Sequence, residues 1–405
     1  MPREWRLTLA FCTMQVLGLS GTLAFQALIP QFRDLWQLTA TEAGWIASAS
    51  YVSYALAAPL LVALTDRLDA RAIVVASCLL SAAAGFGFAL FADGLRSALW
   101  WRTVAGIGIA GTFMPGLKAL SDRLRGPHTG RLQSFYTASF SLGSALSLFL
   151  CGVTASLFGW RAAFLATGVS ALVAALLLFF GVAPEPPPAG RSRRFLPDPR
   201  PVLADRRAMA YIFAYAAHTF ELFTFRTWVV ALLTFAATAS GNAMTAAAIA
   251  SLATSFVLLG LPASILGNEL ATRWGRRRAL VLIMTASAAA GLFTAVCVSG
   301  PPALFLPLLA LYACLVMADS AAITVGTLEV TPAERRGTAI AVQTLLGSLA
   351  AMAGPLAAGM TLDRFATEPA SGWFAVFALT GLGVLAGPLA LHYLAREPSS
   401  SEASA

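Results

Sequence analysis

Five ionisable side chains lie inside long apolar stretches of this sequence, where a charge is costly. His218, Glu221 and Arg226 belong to one run, AHTFELFTFRTW, and Arg102 and Asp319 lie in two others. A charge at the centre of a membrane-spanning helix costs at least about 2.5–3.5 kcal/mol, so such residues usually bind something or one another. These five side chains are therefore the first candidates for a functional site.

The chemistry open to the cluster at 218–226 is anion recognition and proton transfer. A guanidinium binds a carboxylate through two parallel hydrogen bonds, so Arg226 is a candidate substrate-binding residue. His218 and Glu221 are three residues apart and share a helix face. Both are candidate substrate-binding groups, and Glu221 and Asp319 are candidate proton-coupling groups. Arg226 lies about 140° around the helix from Glu221, so these two need not pair.

Each of these groups also has a structural alternative. The 218–226 cluster can lock its helix to a neighbour, and Asp319 can be the partner of a nearby polar group. Arg102 follows two tryptophans and can extend its side chain to the lipid headgroups. Gln15 and Gln26 in the first apolar run are further candidate substrate-binding residues, although such side chains often only join membrane helices to one another.

The elements that must position these residues are membrane-spanning helices. Of the 405 residues, 58% are hydrophobic and 11% are charged, against roughly 25% charged residues in soluble domains. A span needs about 20 apolar residues, and this length predicts twelve spans. They cover about 7–29, 43–64, 72–92, 98–117, 133–157, 162–183, 208–236, 245–270, 279–298, 302–325, 338–360 and 371–394.

A polar connector separates six spans from the other six. Residues 184–207, PEPPPAGRSRRFLPDPRPVLADRR, contain seven prolines and six arginines, and prolines at that density break helices. We predict an N-terminal six-helix bundle over 1–183, a cytoplasmic linker over 184–207 and a C-terminal six-helix bundle over 208–405. The final residues, SSSEASA, read as a short disordered tail.

The basic residues predict the orientation in the membrane. If the N-terminus is cytoplasmic, only Arg33, Arg96, Arg161 and Arg364 of the 27 basic residues fall on the opposite side, with Arg102 and Arg226 inside spans. Cytoplasmic loops carry an excess of Lys and Arg, so both termini are predicted to be cytoplasmic. The net charge of +8 is then a feature of membrane topology, and no nucleic-acid partner is expected.

Two sequence motifs recur at nearly the same spacing. FGWRAAFLATG at 158–168 matches SGWFAVFALTG at 371–381, and Arg125–Gly126 recurs as Arg336–Gly337. The two halves therefore read as parallel six-span repeats, and such repeats typically hold a substrate between them near the middle of the membrane.

The loop after span two, VALTDRLDAR at 62–71, resembles the Gly-x-Leu-x-Asp-Arg-x-Gly-Arg-Lys/Arg pattern of the major facilitator superfamily of transporters. Leu64, Asp66, Arg67 and Arg71 fit the pattern, whereas Val62 and Asp69 replace its glycines and Ala70 replaces an arginine. The loop after span eight, NELATRWGRRR at 268–278, is a second partial copy with Thr272 in place of the acid. The chain is similar to this superfamily over essentially its whole length.

This resemblance implies an all-α membrane protein with the superfamily's twelve helices in two pseudo-symmetric bundles. Span four contains Arg102-T-V-A-Gly106-I-Gly108, similar to a family pattern that implies a proton-coupling role for Arg102. The two charged loops predict conformational gating through ion pairs and helix termini, or alternatively simple anchoring by positive charge. The candidate gating residues are Asp66, Arg67, Arg71, Arg273 and Arg276.

We expect a monomeric secondary transporter of a bacterial inner membrane, without a cofactor, that moves a small organic or inorganic anion. Symport with protons is one form of this activity, and there is a weaker resemblance to cyanate/nitrate-type and small-organic-anion permeases. The alternative is proton-driven efflux of amphipathic or cationic compounds, although span five lacks the Gly-Pro signature of many drug antiporters. A non-transporting sensor or scaffold with the same fold is a further alternative. An enzyme is not expected, because no nucleophile or metal-binding cluster is present.

Overall fold

The computed structural model describes residues 3–125, 128–185, 198–242 and 244–394, and this part of the chain is helical with short connections. The α-helices are α1 Arg3–Gly18, α2 Ile29–Trp36, α3 Ala40–Leu64, α4 Ala70–Phe91, α5 Leu95–Ala110, α6 Phe113–Arg123, α7 Thr129–Phe158, α8 Trp160–Gly181, α9 Arg200–Leu203, α10 Arg206–Ala239, α11 Ala246–Trp274, α12 Arg276–Val296, α13 Pro302–Ala318, α14 Ser320–Val330, α15 Arg336–Arg364 and α16 Pro369–Tyr393. The predicted all-α fold is confirmed. Residues 186–197 of the predicted linker and the predicted disordered tail lie outside the described residues.

Eleven helical segments of the described chain are long and apolar enough to cross a membrane, and they correspond to predicted spans two to twelve. Spans four and ten each consist of two helices, α5 with α6 and α13 with α14. Both breaks fall within the span, at Gly111–Thr112 and at Asp319. The bilayer-spanning character predicted from composition is therefore confirmed.

Span one differs from its prediction as a continuous helix over about 7–29. Helix α1 ends at Gly18, a turn-rich segment follows over 19–25, and a short 3₁₀ turn at Gln26–Leu28 leads into α2. Irregular backbone at membrane depth is tolerated only where protein buries it or it lines a cavity. Leu23 and Phe25 of this segment are at most 1% exposed, so the break is enclosed by protein.

Helix boundaries follow local sequence signals. Thr39 and Glu42 form a capping box at the start of α3, and the Thr245 side chain caps α11. Gly159 and Gly275 have φ values of 84° and 88°, a conformation that glycine adopts without strain. Each forms a one-residue turn between two long helices, which places spans five and six, and spans eight and nine, side by side.

The two halves meet along two pairs of helices, span two with span eleven and span five with span eight. Close approach of spans two and eleven requires glycine, because a methyl group on Gly44 would meet the Pro355 carbonyl and one on Gly359 the Ala40 carbonyl. A continuous apolar core contains buried side chains from both halves, and smaller clusters lie within each half.

Four hydrogen bonds are described between the halves, within residues 3–125, 128–185, 198–242 and 244–394, and they lie toward the face opposite the arginine-rich loops. The Asp363 carboxylate in span eleven accepts from the backbone N–H groups of Ala40 and Thr41 at 2.7 and 2.8 Å. The Ser48 hydroxyl donates to the Met352 carbonyl at 3.0 Å. The fourth joins Thr254 of span eight to the Ala145 carbonyl of span five at 3.5 Å. On this face, therefore, the ends of the halves are held together.

Candidate functional site

Arg102 in span four is 2% exposed and binds the broken segment of span one. Its guanidinium donates to the carbonyl oxygens of Gly21 and Thr22 at 3.0 and 2.9 Å and to the Ser50 hydroxyl at 2.9 Å. The Gln26 side-chain oxygen lies 3.5 Å away. These contacts satisfy carbonyls that the missing helical turn leaves free. The side chain does not extend to the headgroups, so that alternative is wrong.

The glycines that follow Arg102 let span four pack closely enough to make these bonds. A methyl group on Gly106 would meet the Ser50 carbonyl and the Ser53 hydroxyl of span two. One on Gly108 would meet the backbone and hydroxyl of Ser81 in span three. The Arg-x-x-x-Gly-x-Gly pattern therefore has a packing role here, and a proton-coupling role for Arg102 stays a prediction.

The two glutamines of span one occupy different surroundings. Gln15 is fully buried in the N-terminal half, where its side-chain oxygen accepts a hydrogen bond from the Tyr136 hydroxyl at 2.7 Å. Gln26 is also fully buried, but its side-chain nitrogen donates to the Tyr51 hydroxyl at 3.0 Å. Tyr51 packs its ring against Phe223 of span seven, with centroids 4.8 Å apart. Only Gln26 of the two is therefore linked to the contact between the halves.

Arg226 in span seven is 5% exposed and forms no ion pair with any residue that the structure describes. Its guanidinium carbon lies 5.9 Å from the centroid of the Phe223 ring, and one nitrogen is 3.8 Å from the sulfur of Met317. A thioether and a phenyl ring compensate a buried cation poorly. The site thus contains a positive charge without a protein anion.

His218 and Asp319 form a close buried contact within the described part of the C-terminal half. The His218 Nδ1 atom lies 2.7 Å from the Asp319 Oδ1 atom, and both residues are 1% exposed. Asp319 sits at the break in span ten, between α13 and α14. The predicted structural alternative for Asp319, a polar neighbour, therefore has a named partner, and its proton-coupling role stays a prediction.

Glu221 lies near this pair without contacting Arg226. The Ser287 hydroxyl of span nine donates to one Glu221 carboxylate oxygen at 2.9 Å. The other oxygen, Oε2, is buried and makes no well-aligned hydrogen bond with a described residue, although the Tyr312 hydroxyl lies beside the carboxyl group. Two carboxyl groups and one imidazole thus lie in one apolar environment, which is the composition of a site that binds or releases a proton.

The three candidate gating residues of the loop after span two have different surroundings. Asp66 is exposed and has no ion pair within the described chain, and Arg67 is exposed as well. Arg71 is 8% exposed and donates to the carbonyl oxygens of Leu178, at 3.0 Å, and of Phe179. Those carbonyls belong to the last turn of span six, where a cation is favourable.

Asp69, which stands where the family pattern has a glycine, makes the hydrogen bonds and the ion pair of this loop's aspartates. Its carboxylate accepts from the Arg71 N–H at 2.9 Å, capping α4, and from the Glu185 N–H at 3.0 Å. It also pairs with Arg123 of span four at 3.2 Å. These bonds stay within the N-terminal half, so gating by Asp66, Arg67 and Arg71 remains a prediction.

The loop after span eight also makes contacts within its own half. Arg273 pairs with Glu269 at 2.7 Å on an exposed helix surface. Arg276 forms two hydrogen bonds with the Glu329 carboxylate, at 2.7 and 2.8 Å, which joins span nine to span ten. The predicted gating role of Arg273 and Arg276 requires another conformation and stays a prediction.

Comparison with known proteins agrees with this architecture. Residues 9–247 and 222–405 match the sequence profile described as Major Facilitator Superfamily. The chain belongs to the major facilitator superfamily. It also superimposes on the structure of a bacterial homologue of the human lysosomal transporter Spinster, in an inward-facing and occupied conformation. The TM-score is 0.82 at 15% identity, covering 98% of this chain and 97% of the other. This likeness concerns the fold.

Three known transport proteins align with this chain over part of their length. The niacin transporter NiaP of Acinetobacter baylyi is 30% identical over 34% of this chain and 31% of its own length. Human monocarboxylate transporter 11 is 33% identical over 46% of this chain and 41% of its own length. The inner membrane transport protein YnfM of Escherichia coli is 24% identical over 48% of this chain and 45% of its own length. The aligned segments thus span less than half of each relative.

Within this superfamily protein, sequence reasoning missed the residues whose partners lie far away in the chain. Tyr51, Ser287 and Asp363 meet Gln26, Glu221 and the start of span two only in the folded molecule. No local pattern marks them. Asp69 was visible, but only as a departure from the family pattern.

Proposed function

We propose that this superfamily transporter moves a small anion by alternating access, with Arg226 as the anion-binding residue. One observation carries the proposal: a guanidinium that is 5% exposed, lies over the Phe223 ring against which Tyr51 of the other half packs, and has no counter-ion among the described residues. A buried charge is costly unless it is paired, so a bound anion would remove a cost that the empty protein bears. Relatives named for niacin and monocarboxylate transport support a carboxylate as the anion.

Proton coupling in the form of symport is a further part of the proposal. His218, Asp319 and Glu221 would form the proton-binding group, because they are buried together and Glu221 keeps one oxygen without a well-aligned hydrogen bond. The separation of this group from Arg226 would allow cargo and proton to bind at once. Flux of acid into proteoliposomes, driven by a gradient of niacin or lactate, tests it. Uptake of the anion without acid flux would contradict symport.

We also propose a bacterial inner membrane location, a monomer and cytoplasmic termini. With the arginine-rich loops in the cytoplasm, the closed ends held by Asp363 are periplasmic, and the conformation is inward-facing. Reporter fusions at both termini and the mass of the protein in detergent test these three points. A periplasmic terminus would reverse the assignment of the two faces.

The first experiment is a thermal-unfolding shift of the purified protein, because a ligand that binds only the folded state raises its apparent stability. The probes are niacin, lactate and nitrate, with tetraphenylphosphonium as a lipophilic cation. Arg226→Gln is compared with the matched control Arg161→Gln, at an exposed arginine far from the site. We expect an anion to stabilise the wild type and the control but not Arg226→Gln.

The second candidate function is proton-driven efflux of cationic compounds, which the Glu221 oxygen without a well-aligned hydrogen bond favours. In that case tetraphenylphosphonium would stabilise the protein, Glu221→Gln would abolish the shift, and Arg226→Gln would respond as the wild type does. That result would replace the anion proposal.

A further inference from the structure

We propose that Tyr51 is the cargo-binding residue of the N-terminal half and donates a hydrogen bond to the same carboxylate that Arg226 binds. The proposal rests on the anion transport proposed above. Tyr51 is 7% exposed in span two, and its ring packs against Phe223 of span seven. The Arg226 guanidinium lies over that same phenyl ring. Phe223 is therefore in contact with one hydrogen-bond donor from each half, Tyr51 and Arg226.

The directions of the hydrogen bonds around Tyr51 show that its hydroxyl proton is not donated to Gln26. Arg102 has only donors, so it requires the oxygen of the Gln26 amide to face it, at 3.5 Å. The amide nitrogen must then face Tyr51, and it donates to the Tyr51 hydroxyl at 3.0 Å. A phenol has a single O–H group to donate. Because Tyr51 accepts from Gln26, that group remains to be donated elsewhere.

A second hydroxyl lies beside that of Tyr51. Thr227 follows Arg226 in span seven, is 0% exposed, and its hydroxyl has no hydrogen-bond partner among the described residues although it neighbours Tyr51. Two hydroxyls and a guanidinium thus converge from both halves without a carboxylate near them. A cargo carboxylate would supply the missing acceptors, with one oxygen toward Arg226 and the other toward Tyr51.

This arrangement predicts a chemical preference. A carboxylate offers two charged oxygens in one plane and can accept from both halves at once. An uncharged amide of the same shape offers one acceptor and no charge for Arg226. Niacin should therefore bind and nicotinamide should not, and the bound carboxylate would link the two halves at the middle of the membrane.

The test measures the Kd of niacin, with lactate as the second probe and nicotinamide as the uncharged comparison, for Tyr51→Phe in full-length protein. Tyr211→Phe is the matched control, because Tyr211 is a buried tyrosine at the other end of span seven. We expect about a ten- to hundred-fold weaker Kd for Tyr51→Phe, the usual effect of one hydrogen bond to a charged group. Tyr211→Phe should match the wild type.

The outcomes separate this inference from the proposed function. If Tyr51→Phe binds niacin or lactate as tightly as the wild type while Arg226→Gln does not bind, Tyr51 does not contact the cargo and the anion site stands. If Tyr51→Phe and Tyr211→Phe weaken binding equally, the effect is not specific to the site. If neither anion binds the wild type, both proposals are wrong.

An independent observation concerns the face opposite the arginine-rich loops. We infer that Asp363 acts as a latch that holds the halves together on that face. The Asp363 carboxylate belongs to the end of span eleven, and its two acceptor bonds reach the first backbone N–H groups of span two, in the other half. The other two hydrogen bonds described between the halves come from the hydroxyl groups of Ser48 and Thr254.

Helix geometry gives this contact its strength. The first N–H groups of a helix have no partner within it, and the helix dipole is positive there. A carboxylate is the favoured acceptor, and both of its oxygens are used. Separation of the halves would expose these groups, so the latch favours the conformation in which this face is closed. Asn in place of Asp363 would keep one acceptor and turn an NH₂ group toward the second N–H.

The test uses spin labels at Arg96→Cys and Ser299→Cys, two exposed positions on that face in different halves, in a protein whose five native cysteines are replaced by alanine. We expect Asp363→Asn to raise the population with a long label-to-label distance at least ten-fold. Asp93→Asn is the matched control, because Asp93 bonds only to nearby Ser97. An unchanged distance distribution for Asp363→Asn, or an equal change in the control, would overturn the inference.

Discussion

The two arginines buried within spans differ in what surrounds them. Arg102 and Arg226 are 2% and 5% exposed. Arg102 donates to two backbone carbonyls and a hydroxyl, all within 3.0 Å, whereas Arg226 has a sulfur atom at 3.8 Å and a phenyl ring. Burial alone therefore does not distinguish a structural cation from one that binds a ligand. The number of hydrogen-bond acceptors around the guanidinium distinguishes them.

The difference assigns a separate task to each half. In the N-terminal half, Arg102 replaces the hydrogen bonds that the break in span one removes, so its charge is used for folding. In the C-terminal half, Arg226 has no ion pair with a described residue, and under the proposed function its charge remains for a ligand. Substitutions that remove each charge should therefore affect opposite properties, stability in one case and binding in the other.

The largest loss of stability is expected for Arg102→Leu. It leaves the Gly21 and Thr22 carbonyls buried without a donor, at about 1–3 kcal/mol for each unsatisfied group. The free energy of unfolding in detergent should fall by roughly 3–5 kcal/mol, or the protein should fail to accumulate. Arg161→Leu, at an exposed position, is the control. A change below about 1 kcal/mol would mean that water replaces Arg102 at the break.

A smaller loss is expected for Asp319→Asn. The substitution replaces the carboxyl oxygen that lies 2.7 Å from the His218 Nδ1 atom with an amide group, which should weaken the attraction between the two side chains. We expect a decrease of about 1–2 kcal/mol in the free energy of unfolding, together with loss of acid flux in proteoliposomes. Full stability with normal acid flux would show that Asp319 contributes neither to the fold nor to proton movement.

These contrasts also show how far the sequence alone leads. Apolar length located spans two to twelve within a few residues, because hydropathy reports burial in lipid directly. It missed the break in span one, since residues 19–25 remain apolar and the bonds that stabilise the break come from span four. It identified Arg102 and Arg226 as unusual but could not separate them, because the groups to which they donate lie 52 to 91 residues away in the chain.

Among the predicted site residues, sequence spacing likewise predicted the local relations but not the partners that are distant in the chain. His218 and Glu221 were grouped because helix periodicity places them on one face, and the structure keeps both inside the C-terminal half. The partner of His218, Asp319, lies 101 residues further on and could not be paired by spacing. Gln15 and Gln26 looked equivalent in sequence, yet only Gln26 reaches Tyr51 at the contact between the halves.

A loss of about 1 kcal/mol is expected for Ser50→Ala, which sharpens the comparison within the Arg102 site. It removes one of the acceptors of the guanidinium and leaves the two backbone carbonyls in place, so the cost should be that of a single hydrogen bond. Chemical unfolding measures it, with Ser156→Ala as an exposed control. A loss as large as that of Arg102→Leu would place the main anchor at Ser50 rather than at the broken segment.

The smallest change in stability is expected for Arg226→Gln. This substitution tests directly whether Arg226 differs from Arg102 in its contribution to the fold. The substitution removes a buried charge without leaving a protein partner unpaired, so the unliganded free energy of unfolding should change by less than about 1 kcal/mol. The thermal shift with niacin or lactate should disappear in the same preparation. A loss of stability as large as that of Arg102→Leu would show that Arg226 is also a structural cation. Stability would then no longer separate the two arginines, and the anion would have to be bound elsewhere.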